Sequence, residues 1–234
     1  MKKLILTFVT SLLIISCSSK EKGNMIVKGQ IKGLKKGTLY LQKMKDTLLI
    51  TVDSISLLGK DTFTLTDNID NPEMYYLTFD GNTNDKRLLF FGEKGDISII
   101  DKVDEFGFRP IIKGSKNQII MDKFRKIDQK FNEKKLQLIK KEFEAKKNND
   151  ELSLNEVNKE RKKIIRRRFL FATNFAIANS SSEAAPYIAL TELYDANIKL
   201  LDTINNSLSD RIKSSDYGKK LQNFIDKVKS NENK

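Results

Sequence analysis

Few residues in this chain could do covalent chemistry, and those few stand apart from one another. Cys17 is the one thiol among 234 residues, and there is no histidine. The commonest general base and metal ligand is therefore missing, and zinc sites built from thiolate and imidazole cannot be assembled. Gly59-Lys60-Asp61-Thr62 matches only the end of a G-x-x-x-x-G-K-[ST] phosphate loop. The earlier glycine is absent and Asp61 takes the Ser/Thr place, so a charged turn is expected instead. Asp53, Asp61, Asp96 and Asp101 fall near the ends of β-rich runs, where turn chemistry accounts for them better than a catalytic carboxylate pair does. The expectation is of a chain with no catalytic residue, no metal and no cofactor.

The strongest surface signal is the run Arg161-Lys162-Lys163-Ile164-Ile165-Arg166-Arg167-Arg168. Residues 122–168 hold 17 basic and 9 acidic residues, whereas 23–113 hold 13 of each and 169–234 hold 8 of each. Most of the formal charge of +12 thus sits in one stretch. Clustered Lys and Arg neutralise phosphates, but the export signal described next argues against nucleic acid as the partner. Three readings remain: a solvated helix face, contact with an anionic lipid surface, or an acidic protein partner. On a helix the pairs 161/168, 162/166 and 163/167 occupy different sides, with Ile164 and Ile165 as a narrow apolar seam. Arg161, Lys162, Lys163, Arg166, Arg167 and Arg168 are the candidate anionic-surface contacts.

Lys2-Lys3, the apolar run Leu4 to Ile15 and then Ser16-Cys17 have the layout of a secretory signal. The run is shorter than the roughly 20 apolar residues that span a bilayer. Ile14-Ile15-Ser16-Cys17 is similar to a bacterial lipobox, in which the cysteine thiol is acylated and becomes the first residue of the mature chain. Several acyl chains, each CH₂ contributing about 0.8 kcal/mol, hold far more firmly than a single myristoyl group. Cys17 is therefore expected to be a lipid attachment point. Residues 1–16 would be the signal peptide and 17–24 a polar tether. The location expected is the bacterial cell envelope, most simply the outer membrane.

From Met25 the chain alternates short β-rich runs with turns: Met25 to Ile31, Thr38 to Gln42, Leu48 to Ile55, Thr62 to Leu65, Met74 to Phe79, Leu88 to Phe91, Asp96 to Ile100 and Pro110 to Ile112. Gly33 to Gly37 suggests a hairpin between the first two. Regular spacing of this kind predicts an antiparallel β-sandwich or barrel over residues 25–113. Adjacent residues of a strand face opposite ways. One member of each pair such as Tyr75-Tyr76 and Phe90-Phe91 should therefore be core, and the other exposed or at an interface.

After Gly114-Ser115 the apolar period lengthens to three or four, with Ile120, Phe124, Ile127, Phe131 and Leu138 along one side of a long helix. Asn148-Asn149-Asp150 interrupts it, and Ser153 with Glu156 reads as a capping box opening a second long helix to about Ala178. Two such helices joined by a polar turn make an antiparallel hairpin. Pro186 suits the first turn of a third helix, Ile198 to about Ile212 reads as a fourth, and Tyr217, Leu221, Phe224, Ile225 and Val228 stripe a fifth. The class is α+β, with an all-helical region over 114–234.

Val27-Lys28-Gly29-Gln30-Ile31-Lys32-Gly33-Leu34, Thr51 to Ile55, Asn71 to Leu77 and Lys113-Gly114-Ser115-Lys116-Asn117 together resemble a domain of unknown function. That domain precedes the thioredoxin-like module of membrane-anchored thiol:disulfide interchange lipoproteins of the alkyl-hydroperoxide-reductase type. Asn179 to Tyr187 and Asp216 to Val228 are similar to the helices that follow it in those proteins. Where they would begin a thioredoxin fold with a C-x-x-C pair, this sequence runs Ser230-Asn231-Glu232-Asn233-Lys234. Redox exchange needs a low-pKa thiolate, so the resemblance implies an accessory role, not that activity. The expected function is a non-catalytic envelope binding or accessory module with a protein or peptide partner. The competing readings are a docking subunit of a thiol-disulfide pathway and a carboxylate hydrolase.

Overall fold

The computed structural model describes residues 23–80 and 86–232. Cys17 and the signal segment lie outside the described residues. Eight strands come first: β1 (Met25–Lys32), β2 (Lys36–Lys45), β3 (Leu48–Leu58), β4 (Thr62–Asp67), β5 (Glu73–Phe79), β6 (Leu88–Gly92), β7 (Gly95–Lys102) and β8 (Ile111–Lys113). Six helices follow: α1 (Lys116–Lys147), α2 (Glu151–Ala178), α3 (Ala184–Glu192), α4 (Ile198–Ser207), α5 (Asp210–Lys213) and α6 (Asp216–Glu232). The expected α+β class is what is found.

The strands form two four-stranded sheets, ordered β4-β1-β7-β8 and β3-β2-β5-β6. Met25, Val27 and Ile31 of β1 and Ile97 and Ile99 of β7 meet Leu39, Leu41, Leu77 and Phe90 of the other sheet in one core. Alternation sets this arrangement: in β7 every second residue from Ile97 to Asp101 is buried. All the pairings are antiparallel except β1 with β7, which run parallel. Gly29 lies at that pairing, where an added Cβ would fall 1.9 Å from the Ile99 carbonyl oxygen, so no larger residue fits.

The hairpin expected between β1 and β2 does not form. β1 pairs with β4 and β7, while β2 pairs with β3 and β5. The Leu34 N–H bonds back to the Ile31 carbonyl and the Leu34 side chain turns into the core. The glycine-rich segment therefore carries the chain round a corner from one sheet to the other. Gly59 to Asp61 makes a second corner, in which Asp61 accepts from Gln30 Nε2 at 2.9 Å.

β5 and β6 are covered on both faces. Tyr75 and Phe90, directly opposite in the ladder, stack inside the sandwich at 5.8 Å. Their neighbours Met74 and Phe91 point the other way, into a second core made with the helices. Phe91 meets Tyr187 and Tyr217 edge-on at 5.3 and 5.9 Å. The sequence expectation for Phe90-Phe91 is met in its interface form.

Three helix details differ from the expected pattern. α2 is capped by Asp150, whose carboxylate accepts from the Ser153 N–H at 3.0 Å and the Ser153 hydroxyl at 2.7 Å. Ser153 is thus the donor in the first turn, and Asp150, three residues earlier, satisfies its free amide. The stretch from Ile198 to Ile212 breaks into α4 and α5, because Leu208 and Ser209 adopt extended ψ angles of 138° and 155°. In α1 the inward position falls to Asp128, 8 % exposed, and not to Ile127, 39 % exposed.

Candidate functional site: the helical hairpin and its grooves

α1 and α2 form the antiparallel hairpin. Its root joins the second core through Met121 and Phe124 of α1 and Ala172 and Ala176 of α2. Further out the two helices hold only each other. Leu138, Ala145 and Val157 are buried yet belong to neither core cluster. Thirty-two residues at about 1.5 Å each give α1 a length of roughly 48 Å, so a large part of the hairpin is a two-helix arm.

The arm carries an apolar row on its outside. Leu136, Ile139 and Phe143 are 66, 48 and 70 % exposed, and their spacing of three and four puts them on one face. Leu152, near the tip, is also exposed. Residues 132–160 hold seven basic and seven acidic residues. The arm's end is therefore neutral, and the basic excess lies nearer its root.

The run Arg161 to Arg168 is divided by the fold. Arg161 and Arg168, two helical turns apart, face α1 and are committed to ion pairs. Arg161 binds Glu142, which Lys146 and Arg161 together hold below the usual carboxylate range. Arg168 Nε donates to Asp128 Oδ1 at 2.6 Å and Nη2 to Asp128 Oδ2 at 3.2 Å, and Nη2 also reaches Glu192. Burial alone would lower the Arg168 pKa, but the hydrogen bonds it donates to these two carboxylates outweigh that and raise it. Of the six candidate anionic-surface contacts, Arg161 and Arg168 thus have partners within the protein. Lys162, Lys163, Arg166 and Arg167 remain exposed, with Lys163 3.4 Å from Glu160.

Two hollows flank this stretch. A cleft of about 350 Å³ lies between the hairpin and the end of α3, with Leu138, Ile164, Ile165 and Phe169 against Tyr194. A second groove of about 590 Å³ lies between α2 and the start of α4. Ile165 and Phe169 line both.

Sequence reasoning missed a polar junction between the two cores. Asn117 Nδ2 donates to Glu93 Oε2 at 3.0 Å and Glu183 Oε2 at 3.1 Å, and Asn117 Oδ1 accepts from the Ala184 N–H at 3.0 Å and from the Ser182 hydroxyl. Glu93 Oε1 accepts from the Lys116 N–H and Glu183 Oε1 binds Arg211. All four carboxylate oxygens are engaged in joining elements. They border a hollow of about 580 Å³, but their bonding is architectural, which does not favour the hydrolase reading. The signal was present in sequence, since Asn117 and Glu183 fall in two of the segments that carry the family resemblance.

The four strand-end aspartates have similar uses. Asp53 accepts from the Thr66 and Ser54 N–H groups, Asp96 pairs with Lys28 in the open, and Asp101 accepts from the Gly107 N–H at 2.7 Å. A further cluster ties the sheets together. Lys43 Nζ lies 2.8 Å from Asp67 and 2.9 Å from Glu73, and the Tyr75 hydroxyl donates to Asp67 at 2.6 Å. Burial, reinforced by both carboxylates, pushes the Tyr75 hydroxyl far up. Among the described residues, no group of three or more acidic side chains converges as a metal site, and no helix is long and apolar enough to cross a membrane.

Residues 25–121 match the model of a family described as a domain of unknown function, DUF4369. The match takes in all eight strands and the first turns of α1. Physically that is a coherent unit, because Gln118 of α1 accepts from the Phe91 N–H at 2.9 Å and so completes the end of β6. No curated protein and no solved structure matches the chain.

Proposed function

We propose that the protein is a lipid-anchored module of the bacterial envelope. It is attached through Cys17 and binds a protein or peptide partner without catalysis, using the outer half of the α1–α2 hairpin. The observation that carries this reading is the row Leu136, Ile139 and Phe143 on a two-helix arm. Apolar side chains at i, i+3 and i+7 are the anchors by which one helix docks into a groove or onto another helix, and contiguous exposed apolar surface marks contact sites. The balanced charge of residues 132–160 favours a protein surface over an anionic membrane for this part of the arm. The resemblance to the domain that precedes thioredoxin-like modules supports a partner carrying such a module.

A photo-crosslinking residue at Phe143 or Leu136, introduced in intact cells, should give discrete adducts with one envelope protein. The same residue at the exposed Lys220 of α6 should not. Adducts that are absent from the arm, or identical at all three positions, would overturn the assignment of the arm. Cys17→Ser should abolish incorporation of an alkyne-labelled fatty acid, because a hydroxyl does not replace the thiol in that transfer. Labelling that persists in the variant would remove the anchor from the proposal.

A further inference from the structure

The groove between α2 and α4 is built differently from the outer arm and calls for a different occupant. Its floor is Ile165, Phe169, Leu170 and Leu200, and its rim carries Lys162, Arg166 and Lys199. Ile165 and Leu170 are each 44 % exposed, so the floor is open to solvent. None of the three rim cations takes part in an ion pair among the described residues, in contrast to Arg161 and Arg168 of the same run. The result is an apolar groove with cations from both α2 and α4 along its walls.

We propose that this groove binds a single-chain phospholipid, with the acyl chain along Ile165 and Phe169 and the phosphate at Lys162, Arg166 and Lys199. Charge complementarity selects the occupant. An apolar floor alone would take any hydrocarbon, but three cations from the two helices that wall the groove, none of them in an ion pair, call for an anionic headgroup. A phosphate monoester presents three oxygens to those cations where a carboxylate presents two, and Arg and Lys both bind phosphate through charge-assisted hydrogen bonds. The groove's volume of about 590 Å³ falls in the range of about 300–1,000 Å³ usual for small-molecule sites. The inference is independent of the partner proposed for the outer arm, since Leu136, Ile139 and Phe143 do not line this groove.

The test uses the chain from Ser18 onward, without lipid, and lauroyl lysophosphatidic acid below its micellar concentration, followed by isothermal titration calorimetry. One-to-one binding is expected, at least about tenfold tighter than lauroyl lysophosphatidylcholine, laurate or inorganic phosphate, a difference of about 1.4 kcal/mol. The double variant Lys162→Ala/Arg166→Ala should weaken it by about tenfold or more, and Leu170→Asp should weaken it too. Arg167→Ala, one residue off the rim, should bind as the parent does. These substitutions are at exposed positions, and an unchanged far-UV circular dichroism spectrum confirms that the fold is kept. Equal binding of laurate overturns the phosphate assignment, and equal binding of the choline lipid overturns the role of the rim. Binding to vesicles of phosphatidylglycerol but not to the monomeric lipid overturns the groove altogether, in favour of a surface contact.

Discussion

At the scale of single residues, identical side chains in one basic run have opposite fates. Arg168 sits at the meeting point of α1, α2 and α3, with Asp128 and Glu192 as partners. Arg167 projects into solvent. Removing one member of a fully buried ion pair costs about 3–5 kcal/mol, because the other charge is left without a partner. The side chains of Arg168 and Asp128 keep 23 and 11 % exposure, so Arg168→Ala is expected to cost less, about 2–3 kcal/mol. Arg167→Ala should stay within about 0.5 kcal/mol. Urea denaturation followed by circular dichroism would measure both, and equal midpoints for the two variants would show that Arg168 is no more embedded than its neighbour. The distinction was not legible in sequence. Helical spacing separates 161 and 168 from 162, 163, 166 and 167, but which side meets the protein depends on where Asp128 and Glu192 arrive.

At the scale of elements, the hairpin is set by its turn. The Asp150 carboxylate is held below its usual range by the backbone N–H of Ser153 first and the Ser153 hydroxyl second. A carboxyl group with a lowered folded-state pKa stabilises fully above its unfolded value, near 3.9, and this contribution is lost as the pH falls through the lower folded value. Asp150→Asn keeps a good N-cap, so it should leave neutral-pH stability nearly unchanged and flatten the loss of stability below about pH 4. A series of urea melts from pH 7 to pH 2.5 would check this, and parallel acid limbs in parent and variant would refute it. The arm should also open locally. Its outer half is held by the seam of Leu138, Ala145 and Val157, and segments with few buried contacts exchange amide hydrogens by low-energy openings. Exchange is expected to be faster at residues 134–157 than at 120–131 and 168–178, and uniform protection along the hairpin would contradict the two-helix arm.

At the scale of the whole molecule, the two cores are joined by the outer face of β5 and β6. Phe91, Tyr187 and Tyr217 form an aromatic cluster there, and the Met74 N–H donates to the Tyr217 hydroxyl at 3.0 Å. Phe91→Ala should cost about 3–5 kcal/mol, the usual range for deleting a buried phenyl ring, and should separate the unfolding of strands and helices that melt together in the parent. Burial first, and the neighbouring Tyr76 second, push the Tyr187 hydroxyl up to about 12. Burial raises Tyr217 as well. A raised folded-state pKa stabilises fully below the unfolded value, near 10, and this contribution is lost as pH rises towards the folded one. Stability should therefore fall above about pH 10, with Tyr187 and Tyr217, like the buried Tyr75, ionising only as the chain unfolds. Absorbance titration at 295 nm would show Tyr187 and Tyr217 ionising freely near pH 10 if the cluster were absent.

The sequence by itself determined the order and kind of the elements. The eight β-rich runs, the change of period at Gly114-Ser115, the hairpin and the final helix stripe all depend on residues within a few positions of one another, and local backbone and side-chain preferences decide them. The folding of α1 against the β-rich unit was partly legible too, in Lys113 to Asn117. Only the tertiary structure decided how the runs pair, because β1 with β7 and the corner at Leu34 depend on contacts between residues far apart in sequence. It also decided which charges are available to a partner. Arg161 and Arg168 are withdrawn by Glu142, Asp128 and Glu192, while Lys162 and Arg166 meet Lys199 across a groove. Helical periodicity fixes the angle of each side chain about its own axis, but it carries no information about which neighbour the packed chain will place opposite.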